Sequence, residues 1–151
     1  MKEKLIMKED GVPMFAERVV ELLSSIKTSK AKVILLGGDL GAGKTTFTKE
    51  LASAIGINRE RVTSPTFILK KEYNTDHPVF QKLVHIDAYR FNTPEEAKIL
   101  RLDKDLEAAN TIVAIEWPSK MKQPKADIEL LFTIIDDDTR EVAIIYEALP
   151  A

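Results

Sequence analysis

The sequence predicts an α/β fold of three layers, in which a mostly parallel β-sheet lies between helices. Short β-branched apolar runs alternate along the chain with stretches of helical apolar spacing, the pattern of a sheet covered by helices. A glycine-rich turn directly follows the first fully apolar run. Near the C-terminus, alternating residues flank an acidic turn, which predicts antiparallel edge strands and a C-terminal hairpin.

The first half of the chain contains a weak strand, two helices and one buried strand. Residues 4–7 form the weak strand, and Asp10 is expected to cap a helix that has Pro13 in its first turn. The apolar run 32–37 has the composition of a buried parallel strand. A second helix is predicted over 44–55, and it is expected to end there because Gly56 follows directly.

The second half alternates strands with one further helix. Strands are predicted over 67–73 and 82–86, separated by a polar loop. Thr93, followed by a proline and two glutamates, is typical of a helix start. Another buried strand is predicted over 111–116, and the hairpin occupies 128–146.

Length and composition fit a single domain over residues 1–151. A chain of 151 residues with 44% hydrophobic and 30% charged residues can bury a core without disulfides or structural metal. Cysteine is absent, which excludes a thiolate nucleophile and a cysteine zinc site. The net charge of −2 disfavours binding of nucleic acid through bulk charge, and the apolar runs are too short to span a bilayer. We therefore expect a cytoplasmic protein without membrane or DNA partners.

The strongest functional signal is a phosphate-binding loop between the first buried strand and the following helix. The residues match G-x-x-x-x-G-K-[ST], in which glycines let backbone N–H groups converge on phosphate oxygens. Lys44 would contact the terminal phosphates, and the Thr45 hydroxyl would be a Mg²⁺ ligand. The helix that follows directs its positive N-terminal end at the same place. The residues expected at the nucleotide are Gly38, Asp39, Leu40, Gly41, Ala42, Gly43, Lys44, Thr45 and Thr46.

Two other strand ends carry carboxylates that such a site can use. Asp87 follows strand 82–86 and is the expected second Mg²⁺ ligand, although taken alone it would be a turn or cap residue. Glu116 ends strand 111–116, where open α/β sheets place ligands. It would position an attacking water or, equally well, be a solvated carboxylate. His85, taken alone, is interpreted as a structural histidine.

Three other features have both a functional and a structural interpretation. Thr66 lies in a loop between the phosphate loop and the strand-end carboxylates, where nucleotide switches sense the γ-phosphate, but 63–66 is also an ordinary turn sequence. Trp117 is the single tryptophan and would contact the nucleotide or only pack. The acidic run 136–138 is predicted to be a solvated turn.

The motifs favour ATP hydrolysis over other nucleotide chemistries. Guanine specificity is unsupported because 103–105 lacks the asparagine of an Asn-Lys-x-Asp box. A small-molecule kinase usually needs an arginine-rich lid, whereas arginines such as Arg59, Arg61, Arg90 and Arg101 are scattered. The kinase is kept as an alternative, as is a nucleotide-sensing assembly factor for which binding matters and hydrolysis does not.

Four motifs occur in a fixed order along the chain. They are Gly-Asp-Leu-Gly-Ala-Gly-Lys-Thr-Thr-Phe at 38–47, Ser-Pro-Thr-Phe at 64–67, His-x-Asp-x-Tyr-Arg at 85–90 and Glu-Trp-Pro at 116–118. Over about residues 10–135 the chain resembles the TsaE (YjeE) family, the P-loop NTPase-like ATPases of bacterial tRNA threonylcarbamoyladenosine (t6A) synthesis. The resemblance implies ATP or ADP and Mg²⁺ as cofactors. It also implies TsaD and TsaB as partners, with tRNA contacted only through that complex.

The resemblance also implies a role for individual residues. Those with catalytic roles are Lys44, the phosphate lysine, Thr66, the switch threonine, and Glu116, the catalytic or water-positioning carboxylate. Thr45 and Asp87 become the Mg²⁺ ligands, and Trp117 lies beside the nucleotide. No arginine finger is assignable, although Arg90 is the nearest candidate. We therefore expect a slow ATPase that its partners stimulate.

Overall fold

The computed structural model describes residues 1–39, 41–63, 70–121 and 123–146, and its α/β architecture confirms the predicted fold class. Each apolar run of the sequence forms a strand, and each stretch of helical spacing in the first half forms a helix. The strands are β1 (Lys2–Lys8), β2 (Lys32–Gly38), β3 (Lys70–Asn74), β4 (Lys82–Asp87), β5 (Thr111–Glu116), β6 (Ile128–Ile134) and β7 (Thr139–Tyr146). The α-helices are α1 (Val12–Ser25), α2 (Lys44–Ala54) and α3 (Leu102–Glu107), and 3₁₀ helices cover Glu9–Gly11, Arg59–Arg61, Pro94–Leu100 and Pro118–Lys120.

Within the described ranges the strands form one seven-stranded sheet in the order β1-β7-β6-β2-β5-β4-β3. The four central strands β6, β2, β5 and β4 are parallel to one another. The pairs β1–β7, β6–β7 and β3–β4 are antiparallel, so both sides of the parallel centre carry antiparallel strands, as predicted. The carboxyl ends of β2, β4 and β5 therefore lie side by side at one edge of the sheet.

A hydrophobic layer on each face of the sheet joins it to helices. On one face, α1 and α2 pack together and against the sheet, with the ring of Phe47 between those of Phe15 and Phe132 at centroid distances of 5.6 and 5.9 Å. On the other face, Phe91 and Leu102 cover alternate residues of β2, β4 and β5. These alternating burials explain why the central strands are apolar throughout, since both of their faces are covered.

Several local predictions need correction. Asp10 does not cap the first helix: the N-cap is Gly11, without a side-chain cap, because a 3₁₀ turn at Glu9–Gly11 precedes α1. The helix predicted to start at Thr93 is a 3₁₀ helix. It ends at Leu100, and the next residue, Arg101, has a φ of 53° that breaks the helical path before α3.

The remaining elements agree with the sequence pattern. Pro13 lies in the first turn of α1, and β6 and β7 form the C-terminal hairpin around an exposed acidic turn. Of the strand predicted over 67–73, the part from Lys70 onward is β3, and 67–69 lie outside the described residues. Among the residues that the structure describes, none of the helices has the length and apolar character that crossing a membrane requires.

Candidate functional site

The glycine-rich turn connects the carboxyl end of β2 to the first residue of α2. Gly38 has φ +137°, and a Cβ at this position would lie 2.6 Å from the carbonyl oxygen of Phe132 on the paired strand β6. Gly43, the N-cap of α2, has φ +110°. Glycine is needed at both positions because L side chains rarely adopt such backbone angles. The two glycines therefore allow a tight turn at the N-terminus of α2. Leu40, also predicted to lie at the nucleotide, is outside the described residues.

Lys44 is buried beneath this turn, and its ammonium faces the loop's own backbone. Its Nζ donates to the carbonyl oxygens of Gly38 and Asp39, the latter at 3.1 Å. It also lies 3.8 Å from the centroid of the Trp117 ring, a cation–π contact. Burial lowers the pKa of Lys44, and the nearby carboxylates, Glu116 foremost, act in the opposite direction. The loop thus holds a desolvated cation at its centre, a suitable partner for phosphate oxygens.

The two predicted strand-end carboxylates lie side by side, because Asp87 of β4 pairs with Glu116 of β5 in the parallel register. Glu116 is only 3% exposed, whereas Asp87 is partly exposed. Asp87 Oδ1 accepts a hydrogen bond from the backbone N–H of Tyr89 at 3.0 Å. Burial raises the pKa of Asp87, and the charge of Glu116 raises it further. A cation between the two carboxylates and the phosphate loop would relieve this repulsion.

Glu116 joins three elements of the site. The Thr45 hydroxyl, in the first turn of α2, donates to Glu116 Oε1 at 3.0 Å and lies 3.4 Å from Oε2. His85 Nε2 of β4 lies 2.5 Å from Glu116 Oε2. A hydroxyl that gives its hydrogen to a carboxylate keeps its lone pairs for a cation. This arrangement therefore suits Thr45 to the Mg²⁺ ligand role that the sequence assigned to it.

Trp117 turns its ring over the phosphate loop because its backbone leaves the strand in the left-handed region, with φ 56°. The backbone N–H of Trp117 donates to the carbonyl oxygen of Leu36 at 3.2 Å, and this hydrogen bond fixes the turn against β2. The ring also contacts that of Tyr89 at a centroid distance of 4.9 Å. The only tryptophan of the chain thus contacts both Lys44 and the exposed Tyr89.

A cleft of about 380 Å³ opens beside the phosphate loop, between the start of α1 and the C-terminal hairpin. Gly41, Gly43 and Thr46 line the cleft, together with apolar side chains such as that of Phe132. Arg140 lies at its edge and donates from Nη2 to the carbonyl oxygen of Gly41 at 3.3 Å. The cleft has a mixed apolar and polar lining, as small-molecule sites commonly do.

The structure brings most of the predicted site residues to one place. Gly38, Asp39, Gly41, Ala42, Gly43, Lys44, Thr45 and Thr46 form the turn and the start of α2, and Asp87, Glu116 and Trp117 lie at the adjoining strand ends. Thr66 falls outside the described residues, as does the rest of 64–69. Across the described part of the chain, no group of three or more His, Asp or Glu side chains is arranged for a metal. Thr45 and Asp87 carry oxygen ligands of the kind that Mg²⁺ takes from a protein beside substrate phosphates, and they could hold that ion here.

Two further residues, His85 and Arg140, contact this region. The sequence predicts a structural role for His85, and the structure adds that it contacts Glu116; its position two residues before Asp87 on a strand is the signal that puts both on one face. Arg140 has no such signal. It reaches Gly41, 99 residues away along the chain, only because the C-terminal hairpin lies beside the loop.

The fold and the loop geometry together define a P-loop-type protein. Comparison with known proteins identifies the family. The family model described as "Threonylcarbamoyl adenosine biosynthesis protein TsaE" matches residues 8–142, and the chain belongs to the TsaE family.

Relatives from several bacteria agree with this assignment. The chain is 37% identical over 145 residues to a "tRNA threonylcarbamoyladenosine biosynthesis protein TsaE" of Aquifex aeolicus, covering 95% of this chain and 96% of the relative. A protein of the same name from Haemophilus influenzae is 37% identical over 142 residues, covering 93% and 86%. The crystal structure of Bacillus subtilis YdiB superposes with a TM-score of 0.63 at 28% identity, covering 95% of this chain and 86% of YdiB.

Proposed function

We propose that this protein is a Mg²⁺-dependent ATPase that supports t6A modification of tRNA next to the anticodon, acting with the TsaD–TsaB complex. The observation that carries the proposal is the convergence of Lys44, Thr45, Asp87 and Glu116 around one loop, linked by the Thr45–Glu116 hydrogen bond of 3.0 Å. The names of its relatives support the pathway, and the P-loop supports the nucleotide.

Phosphate binding follows from the loop and the cation beneath it. Backbone N–H groups at the start of α2 and the Lys44 ammonium would hold the β- and γ-phosphates, with the positive end of the helix adding to the attraction. Thr45 and Asp87 would hold Mg²⁺, which when bound neutralises charge on the phosphate oxygens. The nucleoside would lie in the cleft beside Gly41 and Thr46, which adjoins the loop.

Glu116 would orient the attacking water. It is the carboxylate of the site with hydrogen bonds on both oxygens, from Thr45 and His85, so its orientation is fixed before substrate arrives. A pre-oriented carboxylate is what a water-positioning group requires. Its removal is expected to lower the rate by about 10²–10⁴-fold, the contribution typical of such groups.

Hydrolysis is tested by phosphate release from Mg²⁺-ATP without any added acceptor. Release that increases when purified TsaD–TsaB is added supports the proposal, and Glu116→Gln should abolish most of it while retaining ADP binding. Phosphate transfer to an added small molecule, with no release in its absence, would identify a kinase instead. Co-purification with TsaD and TsaB in the presence and absence of ATP tests the partnership separately.

The partner is expected to complete the site. The sequence has no assignable arginine finger, and Thr66 would sense the γ-phosphate only when its loop is held in place. We therefore expect TsaD–TsaB to raise ATP turnover substantially, and Thr66→Ala to reduce that increase more than it weakens ATP binding. Fast turnover by the isolated chain would contradict this expectation, because the site would then need no help.

A nucleotide sensor is the second candidate, and the burial of Glu116 favours it. At 3% exposure, with both oxygens engaged, Glu116 offers little space to a water. The two functions differ in cells: a sensor keeps its role in t6A formation when Glu116 is replaced by alanine, whereas an ATPase loses it. The measurement is the t6A content of tRNA in cells that carry either form.

A further inference from the structure

We propose that His85 is a positioning residue for Glu116, holding one carboxylate oxygen so that the other faces Thr45 and the nucleotide. The inference rests on the proposed ATPase function and adds a residue to it. The sequence alone predicts a structural role for His85, so the inference depends on contacts that the fold creates.

The contact is short, buried and specific. His85 is fully buried, and its Nε2 lies 2.5 Å from Glu116 Oε2, whose side chain is almost equally enclosed. In the β4–β5 register, His85 is opposite Ala114, which places Glu116 at the diagonal position on the same face of the sheet. Two adjacent parallel strands therefore hold the imidazole and the carboxylate in a fixed relation.

The surroundings of the second ring nitrogen, Nδ1, indicate which nitrogen of the imidazole carries the hydrogen. Among the described residues, none makes a hydrogen bond with the buried His85 Nδ1. A hydrogen on Nδ1 would be a buried donor without an acceptor, which is costly. Placed on Nε2, the hydrogen points at Glu116 Oε2. The imidazole is then a donor to the carboxylate, and its tautomer is set by this one contact.

Glu116 needs the contact with His85 because little energy is required to rotate its carboxylate about the last side-chain torsion. The last side-chain torsion of glutamate has broad minima, so a carboxylate held on one side only can rotate. Thr45 contacts both oxygens, at 3.0 and 3.4 Å, and so selects neither orientation sharply. His85 binds Oε2 alone and thereby directs Oε1 at Thr45 and the first turn of α2. Loss of His85 should therefore affect the catalytic step more than nucleotide binding.

Two substitutions separate positioning from packing. In His85→Gln, the amide nitrogen reaches the place of Nε2 and can donate to Oε2. In His85→Asn, the shorter side chain carries its amide near the place of Nδ1 and cannot. We expect His85→Gln to retain kcat within about threefold and His85→Asn to lose about 10–100-fold, the effect typical of residues that orient a functional group. KM for ATP should stay within about threefold in both, since neither changes the phosphate loop.

The assay is Mg²⁺-ATP hydrolysis in the presence of TsaD–TsaB, with ADP affinity measured in parallel. Equal kcat values for the Gln and Asn variants, whether both high or both low, would overturn the positioning role. If the wild-type protein with its partners releases no phosphate, the proposed ATPase function fails first. Wild-type hydrolysis together with a fully active Asn variant rejects only the role of His85.

A measurement on the unaltered protein keeps the inference testable even if a variant does not fold. Long-range ¹H–¹⁵N spectra of histidine report which ring nitrogen carries the hydrogen. The chain has two histidines, so His77→Gln assigns the signals. We expect the hydrogen of His85 on Nε2, and a hydrogen on Nδ1 would contradict the proposal.

Discussion

Replacement of Gly38 by alanine tests whether the phosphate loop depends on close contact with β6. Gly38 has φ +137°, and an added Cβ would lie 2.6 Å from the carbonyl oxygen of Phe132 and 3.2 Å from its Cβ. Because Gly38 and Phe132 are paired in the β2–β6 ladder, these atoms separate only if the strands do. Gly41 is the matched control: its φ is +76°, but no atom of the described residues lies within 4 Å of its Cβ position.

The two substitutions share backbone strain and differ in the collision. A residue with a side chain at positive φ costs about 1–3 kcal/mol, and we take roughly 1.5 kcal/mol for Gly41→Ala. Overpacking adds about 1–3 kcal/mol, so Gly38→Ala should lose about 4 kcal/mol of unfolding free energy. In a protein of this length, a difference of about 2.5 kcal/mol separates the two melting temperatures by roughly 5–10 °C.

The assay is thermal unfolding of both variants and the wild type, followed by nucleotide titration at a temperature where all three are folded. Gly38→Ala should also weaken binding, because the carbonyl of Gly38 accepts a hydrogen bond from Lys44 and moves with the strand. Equal melting temperatures for the two variants would refute the reasoning, since the contact with Phe132 would then exert no constraint.

Three further predictions concern the metal, the tryptophan and the acid stability. Asp87→Ala should reduce Mg²⁺-dependent phosphate release by about tenfold or more, and an unchanged Mg²⁺ titration would remove Asp87 from the site. ATP or ADP should change Trp117 emission saturably, with a much weaker response in Lys44→Ala. A silent tryptophan in a protein that binds nucleotide by calorimetry would place Trp117 elsewhere. The hydrogen bond from Arg18 lowers the pKa of Glu3 in the folded state, so its contribution to stability is present above the unfolded pKa and is lost as pH falls through the folded pKa. Glu3→Gln should therefore flatten the acid decline of stability in urea unfolding, and an unchanged decline would contradict this.

The elements of the fold were predictable because their signals are local. An apolar β-branched run such as that of β5 indicates a buried strand without knowledge of its neighbours. The order of the strands was not predictable in the same way: β6 lies beside β2, and β1 pairs with β7 from the opposite end of the chain. Such pairings depend on long-range packing. The predicted start of α1 was wrong for a local reason: Asp10 lies in a 3₁₀ turn, and so it does not cap the helix.

In the candidate site, too, the residues with a local sequence signal were predictable, and those brought in by long-range packing were not. The phosphate loop is a contiguous motif, and Asp87 and Glu116 were found because parallel strands present their carboxyl ends at one edge. The contact of His85 with Glu116 requires that β4 and β5 be neighbours in one particular register, which no pattern within either strand reveals. Arg140 required the position of the whole hairpin.

Glu116 therefore links the proposed catalytic site to the packing of the sheet. Its partners come from the first turn of α2 and from β4, while its own backbone carbonyl accepts a hydrogen bond from Ala88 at 3.0 Å. The next residue, Trp117, is tied to β2 through the carbonyl of Leu36. A shift of β4 relative to β5 would move the imidazole and the Asp87 carboxylate relative to Glu116, the carboxylate that we propose positions the water. In the proposed ATPase, a partner that contacts this edge of the sheet would therefore change the rate of hydrolysis by moving these residues.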